Sequence, residues 1–167
     1  MNAARYLPFA GRLLIGLAFA MSGLGKLAAY GATIDLIASS KLPLPPPLAY
    51  AGAVLVELGC GVLMIAGYQA RAAAGVLALF CVATAVFFHT NFTDPDQIFH
   101  FIKNVVMTGG LLQIVAFGAG ALSIDEIHAP MGGVRDSGWG RTGPDSLKEF
   151  QDAIWINSHS GQRPYPF

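Results

Sequence analysis

The 167-residue chain is 54% hydrophobic and only 12% charged, with a mean hydropathy of +0.53. Soluble domains carry roughly 25% charged residues, so this composition indicates a membrane protein. Ten Lys and Arg residues balance ten Asp and Glu residues, and the lack of a basic excess argues against a nucleic-acid-binding protein.

The first apolar segment extends from about residue 7 to residue 27, close to the ~20 residues that cross ~30 Å of hydrocarbon. Arg12 lies one to two turns inside it, and we expect its side chain to snorkel to the nearer membrane surface. Lys26 closes the opposite end, and Gly16 and Gly23 offer small surfaces for helix contact. Three more spanning candidates follow this segment, so we predict a retained helix rather than a secretory signal.

The connector over residues 28–47 combines a short apolar pattern with four prolines. TIDLIASSKL predicts a short interfacial helix. Pro43, Pro45, Pro46 and Pro47 follow, and we expect them to exclude regular helix before the next segment.

The second and third apolar segments are predicted to be antiparallel neighbours. The second runs from about residue 48 to 68, interrupted only by Glu57, and the third from about residue 72 to 90, with His89 near its far end. Only residues 69–71 separate them, which leaves room for no more than a tight turn.

The fourth segment, HFIKNVVMTGGLLQIVAF at residues 100–117, places Lys103 and Asn104 about one turn inside its first end. A charge within a membrane segment costs roughly 2.5–3.5 kcal/mol on insertion scales and suggests a function. Glu57 is the predicted partner of Lys103.

These segments predict an all-α fold. Residues 1–125 form a four-helix transmembrane bundle, and residues 126–167 form a mostly irregular tail that is not an independent domain. Only helices and closed barrels satisfy their backbone hydrogen bonds in lipid. The distribution of Arg and Lys, read by the positive-inside rule, predicts a multi-pass protein with both termini in the cytoplasm.

Six polar residues are predicted to form one layer in the half of the bilayer opposite the termini. They are Lys26, Glu57, His89, His100, Lys103 and Asn104. One interpretation is a polar pocket that holds a quinone head group, a small acid or a transferable proton. The alternatives are a buried ion pair that fixes helix register, and side chains that snorkel without pairing.

Two other kinds of site have weak sequence support. His89 and His100 are eleven residues apart across a proline-containing turn, a spacing that is a poor signal for a metal, and no metal site is predicted. Cys60 and Cys81 lie inside apolar segments without CxxC spacing, which favours small buried side chains over a redox pair.

Three stretches of the membrane segments carry a family pattern over about residues 5–125. They are RLLIGLAFAMSGLGKL, ELGCGVLMIAGYQARAAAGVLALF, and HFIKNVVMTGGLLQI followed by GAGALSID. The matching positions are Gly16, Gly23, Lys26, Glu57, Gly59, Gly61, Lys103, Asn104 and Gly110. The pattern resembles DoxX-like integral membrane proteins. The resemblance implies a four-helix inner-membrane protein, in some members linked to thiosulfate:quinone oxidoreduction or to complexes handling thiol and oxidative stress.

The tail carries a different pattern, HAPMGGVRDSGWGRTGPDSLKEFQDAIWINSHSGQRPYPF at residues 128–167. Its GGV-x-x-SG-x-GR-x-G run and closing QRPYPF resemble the C-terminal end of an aldehyde dehydrogenase. That family also needs a nucleotide-binding domain, a nucleophilic cysteine and a general-base glutamate, which are missing, so aldehyde oxidation is not predicted. A fused or truncated reading frame is the simplest origin, and a docking segment for dehydrogenase subunits is the alternative.

Two functions remain open at this point. The first is the membrane subunit of a redox complex, whose polar layer binds a quinone or small reductant while a soluble partner supplies the cofactor, because the chain has no recognisable cofactor motif. The second is a non-enzymatic scaffold or small-solute permease. Expected partners are membrane lipid and either a soluble redox protein or further copies in a homo-oligomer, with no nucleic acid.

Overall fold

A computed structural model of the protein describes residues 3–127, and within them every regular element is a helix. The helices are α1 (Ala3–Ala28), α2 (Tyr30–Ser39), α3 (Pro46–Ala66), α4 (Ala70–Phe88), α5 (Pro95–Phe117) and α6 (Ile124–Ile127). Most of α1 and all of α3, α4 and α5 are long and apolar enough to cross a membrane. The predicted all-α fold with four spans is therefore confirmed. The aldehyde-dehydrogenase-like tail lies outside the described residues.

The long helices pack as two antiparallel pairs. Helix α1 lies along α3 and helix α4 along α5, and a less extensive contact between α3 and α4 joins the pairs. Helix α4 begins only four residues after α3 ends, which confirms the predicted tight turn. The core that joins the helices includes Met64, Leu77, Cys81 and Leu111, each nearly inaccessible to solvent.

Glycines bring the backbones of α1 and α3 into contact, as the sequence predicts. A Cβ atom at Gly16 would lie 2.8 Å from the carbonyl oxygen of Gly61, and one at Gly23 would lie 2.8 Å from the side chain of Leu58. Such close approach lets two helices gain van der Waals contact where lipid supplies no hydrophobic driving force.

Two helices begin earlier than predicted, each at a proline. Pro46 and Pro47 lie in the first turn of α3, where a residue without an N–H group loses no hydrogen bond, so the prediction that they exclude helix was wrong. Helix α5 begins at Pro95, and the side chain of Asp94 caps it by accepting a hydrogen bond from the backbone N–H two residues later (3.0 Å). Lys103 is consequently about two turns inside α5 rather than one.

The connector contains the predicted short helix as α2, which begins three residues before the TIDLIASSKL stretch. The ring of Tyr30 packs edge-to-face against Tyr50 of α3, with centroids 4.9 Å apart. Ile37 is buried. Helix α2 is therefore fixed to α3 at its start and packs inward through one apolar side chain.

Residues 118–127, here called the closing segment, fold back against the α3–α4 turn. Arg12 is 1% exposed, and its Nη1 and Nη2 atoms each donate a 2.9 Å hydrogen bond, to the carbonyl oxygens of Ala119 and Leu122. The prediction that Arg12 snorkels to the surface was wrong, because these backbone acceptors receive its guanidinium inside the protein. A Cβ atom at Gly67 would lie 2.5 Å from Nη1 of Arg12, so the turn needs glycine there.

Asp125 of the closing segment caps helix α4. Its two carboxylate oxygens accept hydrogen bonds from the backbone N–H groups of Gln69 (2.6 Å) and Ala70 (2.9 Å). Its own backbone N–H donates to the carbonyl oxygen of Gly67 (2.9 Å). These bonds satisfy N–H groups that the first turn of a helix leaves without partners, and a negative charge is favourable there.

Candidate functional site

A partly open cavity of about 700 Å³ lies between the two helix pairs, with α2 along one side. Its volume falls within the range of small-molecule sites, roughly 300–1,000 Å³. Its wall is mainly apolar, with aromatic side chains from α4. The polar residues on the wall are Ser22, Lys26, Thr33, Glu57, Thr84, His89, Lys103 and Asn104.

Lys26 and Glu57 form an ion pair on the wall of this cavity. The Nζ atom of Lys26 lies 2.8 Å from Oε1 and 2.7 Å from Oε2 of Glu57. The hydroxyl of Ser22, one turn earlier in α1, donates to Oε1 (3.1 Å) and accepts from Nζ (3.0 Å). The side chain of Glu57 is 4% exposed and that of Lys26 is 27% exposed. The carboxylate is therefore buried, whereas the ammonium remains accessible from the cavity.

Lys103 is not the partner of Glu57 that the sequence predicts. Helix α1 packs directly along α3, so Lys26 reaches the carboxylate, whereas α5 packs on α4 at the other side of the cavity. The Nζ atom of Lys103 instead lies 3.2 Å from Nδ1 of His100. Among residues 6–127, Lys26 and Glu57 are the one pair of opposite charges within 4.0 Å.

The α4–α5 side of the cavity carries a second polar cluster. The rings of His89 and His100 stack with centroids 5.1 Å apart, and Nδ1 of His89 lies 2.9 Å from Oε1 of Gln97. Asn104 is 8% exposed, donates from Nδ2 to the carbonyl oxygen of His100 (2.9 Å), and accepts from the hydroxyl of Thr84 (3.2 Å). Thr84 and Gln97 were absent from the predicted layer, because a lone hydroxyl in an apolar helix and an amide near a loop are weak sequence signals.

Five of the six predicted residues therefore line one cavity, and the sixth, His100, contacts three of them, His89, Lys103 and Asn104. The structure brings these residues together, and their role in ligand binding stays a prediction.

Comparison with known proteins identifies the family. Residues 7–90 match the DoxX family. The chain belongs to the DoxX family. It is 32% identical over 117 residues to the inner membrane protein YqjF of Escherichia coli (strain K12), an alignment that covers 70% of this chain and 87% of YqjF. It is 29% identical over 139 residues to the inner membrane protein YphA of the same organism, covering 75% of this chain and 99% of YphA. No solved structure matches the chain.

The DoxX match includes the whole Lys26–Glu57 ion pair and His89, and it ends before α5. Lys103 and Asn104 therefore lie outside the matched residues. This DoxX-family protein is a membrane protein by the length and composition of its four long helices and by the kinship with two inner membrane proteins.

The side chains of this DoxX-family protein define what the cavity can do chemically. Within residues 6–127, no three His, Cys, Asp or Glu side chains are grouped closely enough to hold a metal ion. The cavity offers two ammonium groups, one carboxylate, one amide, one imidazole and three hydroxyls within an apolar wall. Such a site can bind one polar group of a small molecule while it covers an apolar body.

Proposed function

We propose that this DoxX-family protein is the membrane subunit of a redox complex, and that its cavity binds a quinone or a similarly small, mainly apolar reductant. The observation that carries the proposal is the cavity of about 700 Å³ with polar groups from α1, α3, α4 and α5 on an otherwise apolar wall. A soluble partner would supply the other redox cofactor.

The residues present fit a quinone. A quinone has a flat ring with carbonyl oxygens that accept hydrogen bonds, attached to an apolar tail. Lys103 brings N–H donors to the wall, and Phe80, Phe87 and Phe88 give flat apolar surfaces. When bound, a quinone accepts two electrons and two protons. The imidazole of His89, a type of group that can accept and donate a proton, lies on the same wall.

A cavity-filling substitution tests the binding proposal. Gly52 lines the cavity, and a Cβ atom there would meet no other atom within 4 Å, so Gly52→Leu can fill the cavity without a clash at Cβ. Gly59, one heptad later on the same helix, is equally unobstructed and is not among the residues of the cavity wall. Gly59→Leu is therefore the matched control.

The measurement is equilibrium binding of a short-chain ubiquinone to the purified protein in nanodiscs. We expect Gly52→Leu to weaken binding about tenfold or more, which is at least ~1.4 kcal/mol, and Gly59→Leu to leave it unchanged. Equal affinity of both variants and the native chain would reject the cavity as the quinone site.

The redox part of the proposal needs the native partner. Purification from native membranes should recover a flavin, thiol or sulfur-oxidising protein together with this chain, and quinone reduction by that complex should fall in Lys103→Ala. Lys41→Ala changes an exposed lysine outside the cavity and serves as the control. Unchanged turnover in Lys103→Ala would count against the redox role.

A small-solute permease or a scaffold is the alternative function. A permease needs a path between both membrane faces, and the buried Arg12 with the closing segment fills the end of the bundle away from the cavity. This arrangement argues against a permease. Two results together would favour the alternative. The first is uptake of a small solute into proteoliposomes that is lost in Glu57→Gln, and the second is the lack of redox activity with any partner.

Two further parts of the proposal concern the tail and the orientation. We propose that the aldehyde-dehydrogenase-like tail has no dehydrogenase activity, so that NAD and an aldehyde added to the purified chain give no NADH. We also propose that both termini face the cytoplasm. Reporter fusions at each terminus, active only on one side of the membrane, test this orientation.

A further inference from the structure

We propose that the cavity selects a singly charged anion with an apolar body, and that Lys103 is the residue responsible. This inference rests on the proposed function, because it requires the cavity to be a ligand site, and it specifies the class of ligand.

The charges on the wall of the cavity do not cancel. Glu57 is neutralised by Lys26, whose Nζ atom contacts both carboxylate oxygens at 2.8 and 2.7 Å. Lys103 has no carboxylate of residues 6–127 within 4.0 Å. Its Nζ atom lies 3.2 Å from Nδ1 of His100, and an imidazole carries no negative charge that could neutralise an ammonium. The three charged side chains on the wall, Lys26, Glu57 and Lys103, therefore sum to one net positive charge.

The acidic residues nearest in sequence to Lys103 do not supply the missing charge. Asp94 and Asp96 belong to the loop and the first turn of α5, and the carboxylate of Asp94 accepts the backbone N–H of Asp96. Neither aspartate lines the cavity.

The surroundings make this unbalanced charge selective. Lys103 is exposed and lines the same cavity as the apolar wall, so its ammonium is free to pair with an anionic group while the wall covers the apolar body of the same molecule. The remaining wall, which includes Leu36, Phe80 and Met107, accepts an apolar body and disfavours a small hydrated ion. A carboxylate, an ionised hydroxyquinone or an anionic lipid head group provides the required chemistry.

Two probes of nearly equal size separate charge from shape. The first is an alkyl-substituted hydroxynaphthoquinone, whose ring hydroxyl is ionised at neutral pH. The second is its methyl ether, which is neutral. Binding of each is measured by equilibrium dialysis against the full chain in nanodiscs of zwitterionic lipid, and a second set of nanodiscs contains phosphatidylglycerol.

We expect the native chain to bind the anion about tenfold more tightly than the ether. Lys103→Gln should abolish this preference by weakening the anion alone, Lys103→Arg should retain it, and Lys41→Gln should leave it unchanged. A thermal unfolding midpoint equal to that of the native chain verifies that Lys103→Gln is folded. Competition by phosphatidylglycerol would support the same selectivity and identify the anion source as lipid.

Equal binding of both probes to the native chain would overturn this inference and leave the proposed function intact. A preference that persists in Lys103→Gln would also overturn it, because another group would then be responsible. Failure of the native chain to bind either probe or the short-chain ubiquinone would overturn the proposed function itself.

Discussion

The ammonium of Lys26 spans both carboxylate oxygens of Glu57, at 2.8 and 2.7 Å, and thereby joins the last turn of α1 to the middle of α3. The pair is asymmetric, because Glu57 is buried and Lys26 is partly accessible. Removal of the lysine would therefore leave a buried carboxylate with the Ser22 hydroxyl as its remaining hydrogen-bonding partner.

We expect Lys26→Met to lower the free energy of unfolding by about 3 kcal/mol, since an uncompensated buried charge is costly. The double variant Lys26→Met/Glu57→Met should be more stable than the Lys26→Met variant, because it contains no isolated charge. The coupling between Lys26 and Glu57 is measured from the free energies of unfolding in detergent micelles. The measurement compares the native chain, the single variants Lys26→Met and Glu57→Met, and the double variant. Strictly additive losses would contradict a direct interaction.

Replacement of Gly16 by Ala should separate α1 from α3. The new Cβ atom would lie 2.8 Å from the carbonyl oxygen of Gly61, a backbone atom that cannot rotate away. We expect a loss of about 1–3 kcal/mol, the usual cost of an overpacked contact. Gly59→Ala is the control, because its Cβ atom meets nothing within 4 Å. Thermal unfolding midpoints distinguish the variants, and equal midpoints would refute the proposed backbone contact.

Loss of Arg12 should release the closing segment. Arg12→Met leaves the carbonyl oxygens of Ala119 and Leu122 without their charged donors, at a cost of about 2 kcal/mol or more. Faster hydrogen exchange is expected at the backbone amide of Asp125, and Lys41→Met should leave that rate unchanged. Arg12→Lys should restore only part of the protection, because one ammonium lacks the fork geometry of a guanidinium.

Asp125→Ala should loosen the start of α4. The variant removes both acceptors that hold the N–H groups of Gln69 and Ala70, and loss of a helix cap costs about 1 kcal/mol. Hydrogen exchange at the backbone amides of Gln69 and Ala70 should be faster in Asp125→Ala than in the native chain. Glu126→Ala removes the neighbouring carboxylate, whose side chain makes neither contact, and should have no effect on them. Identical exchange in both variants would exclude capping by Asp125.

Hydropathy and segment length were enough to predict the four spans and the tight turn before α4, because both depend on local composition. Distance along each helix was enough to place Glu57 and Lys103 on the wall of one cavity. The identity of the ion pair was not predictable in this way. The sequence predicts a similar depth in the bilayer for Lys26 and Lys103, and helix adjacency decides which of them reaches Glu57.

The burial of Arg12 was missed for a related reason. Its acceptors, at Ala119 and Leu122, are more than 100 residues away in sequence, and backbone carbonyl groups carry no sequence signal. The early start of α5 could have been predicted from the sequence, since Asp94 is a favourable N-cap residue and Pro95 is a favourable first residue of a helix. Interpreting that dipeptide only as a turn placed Lys103 too near the helix end.

The closing segment makes the two ends of the bundle mechanically unequal. Arg12 and Asp125 link α1, α5 and the α3–α4 turn at one end, whereas the cavity occupies the other end beside α2 and its proline-rich linker. In thermal motion the helices should therefore move less at the linked end and separate more at the opposite end. Because the cavity is already partly open, a ligand of the kind proposed above could enter it without unfolding any of the four long helices.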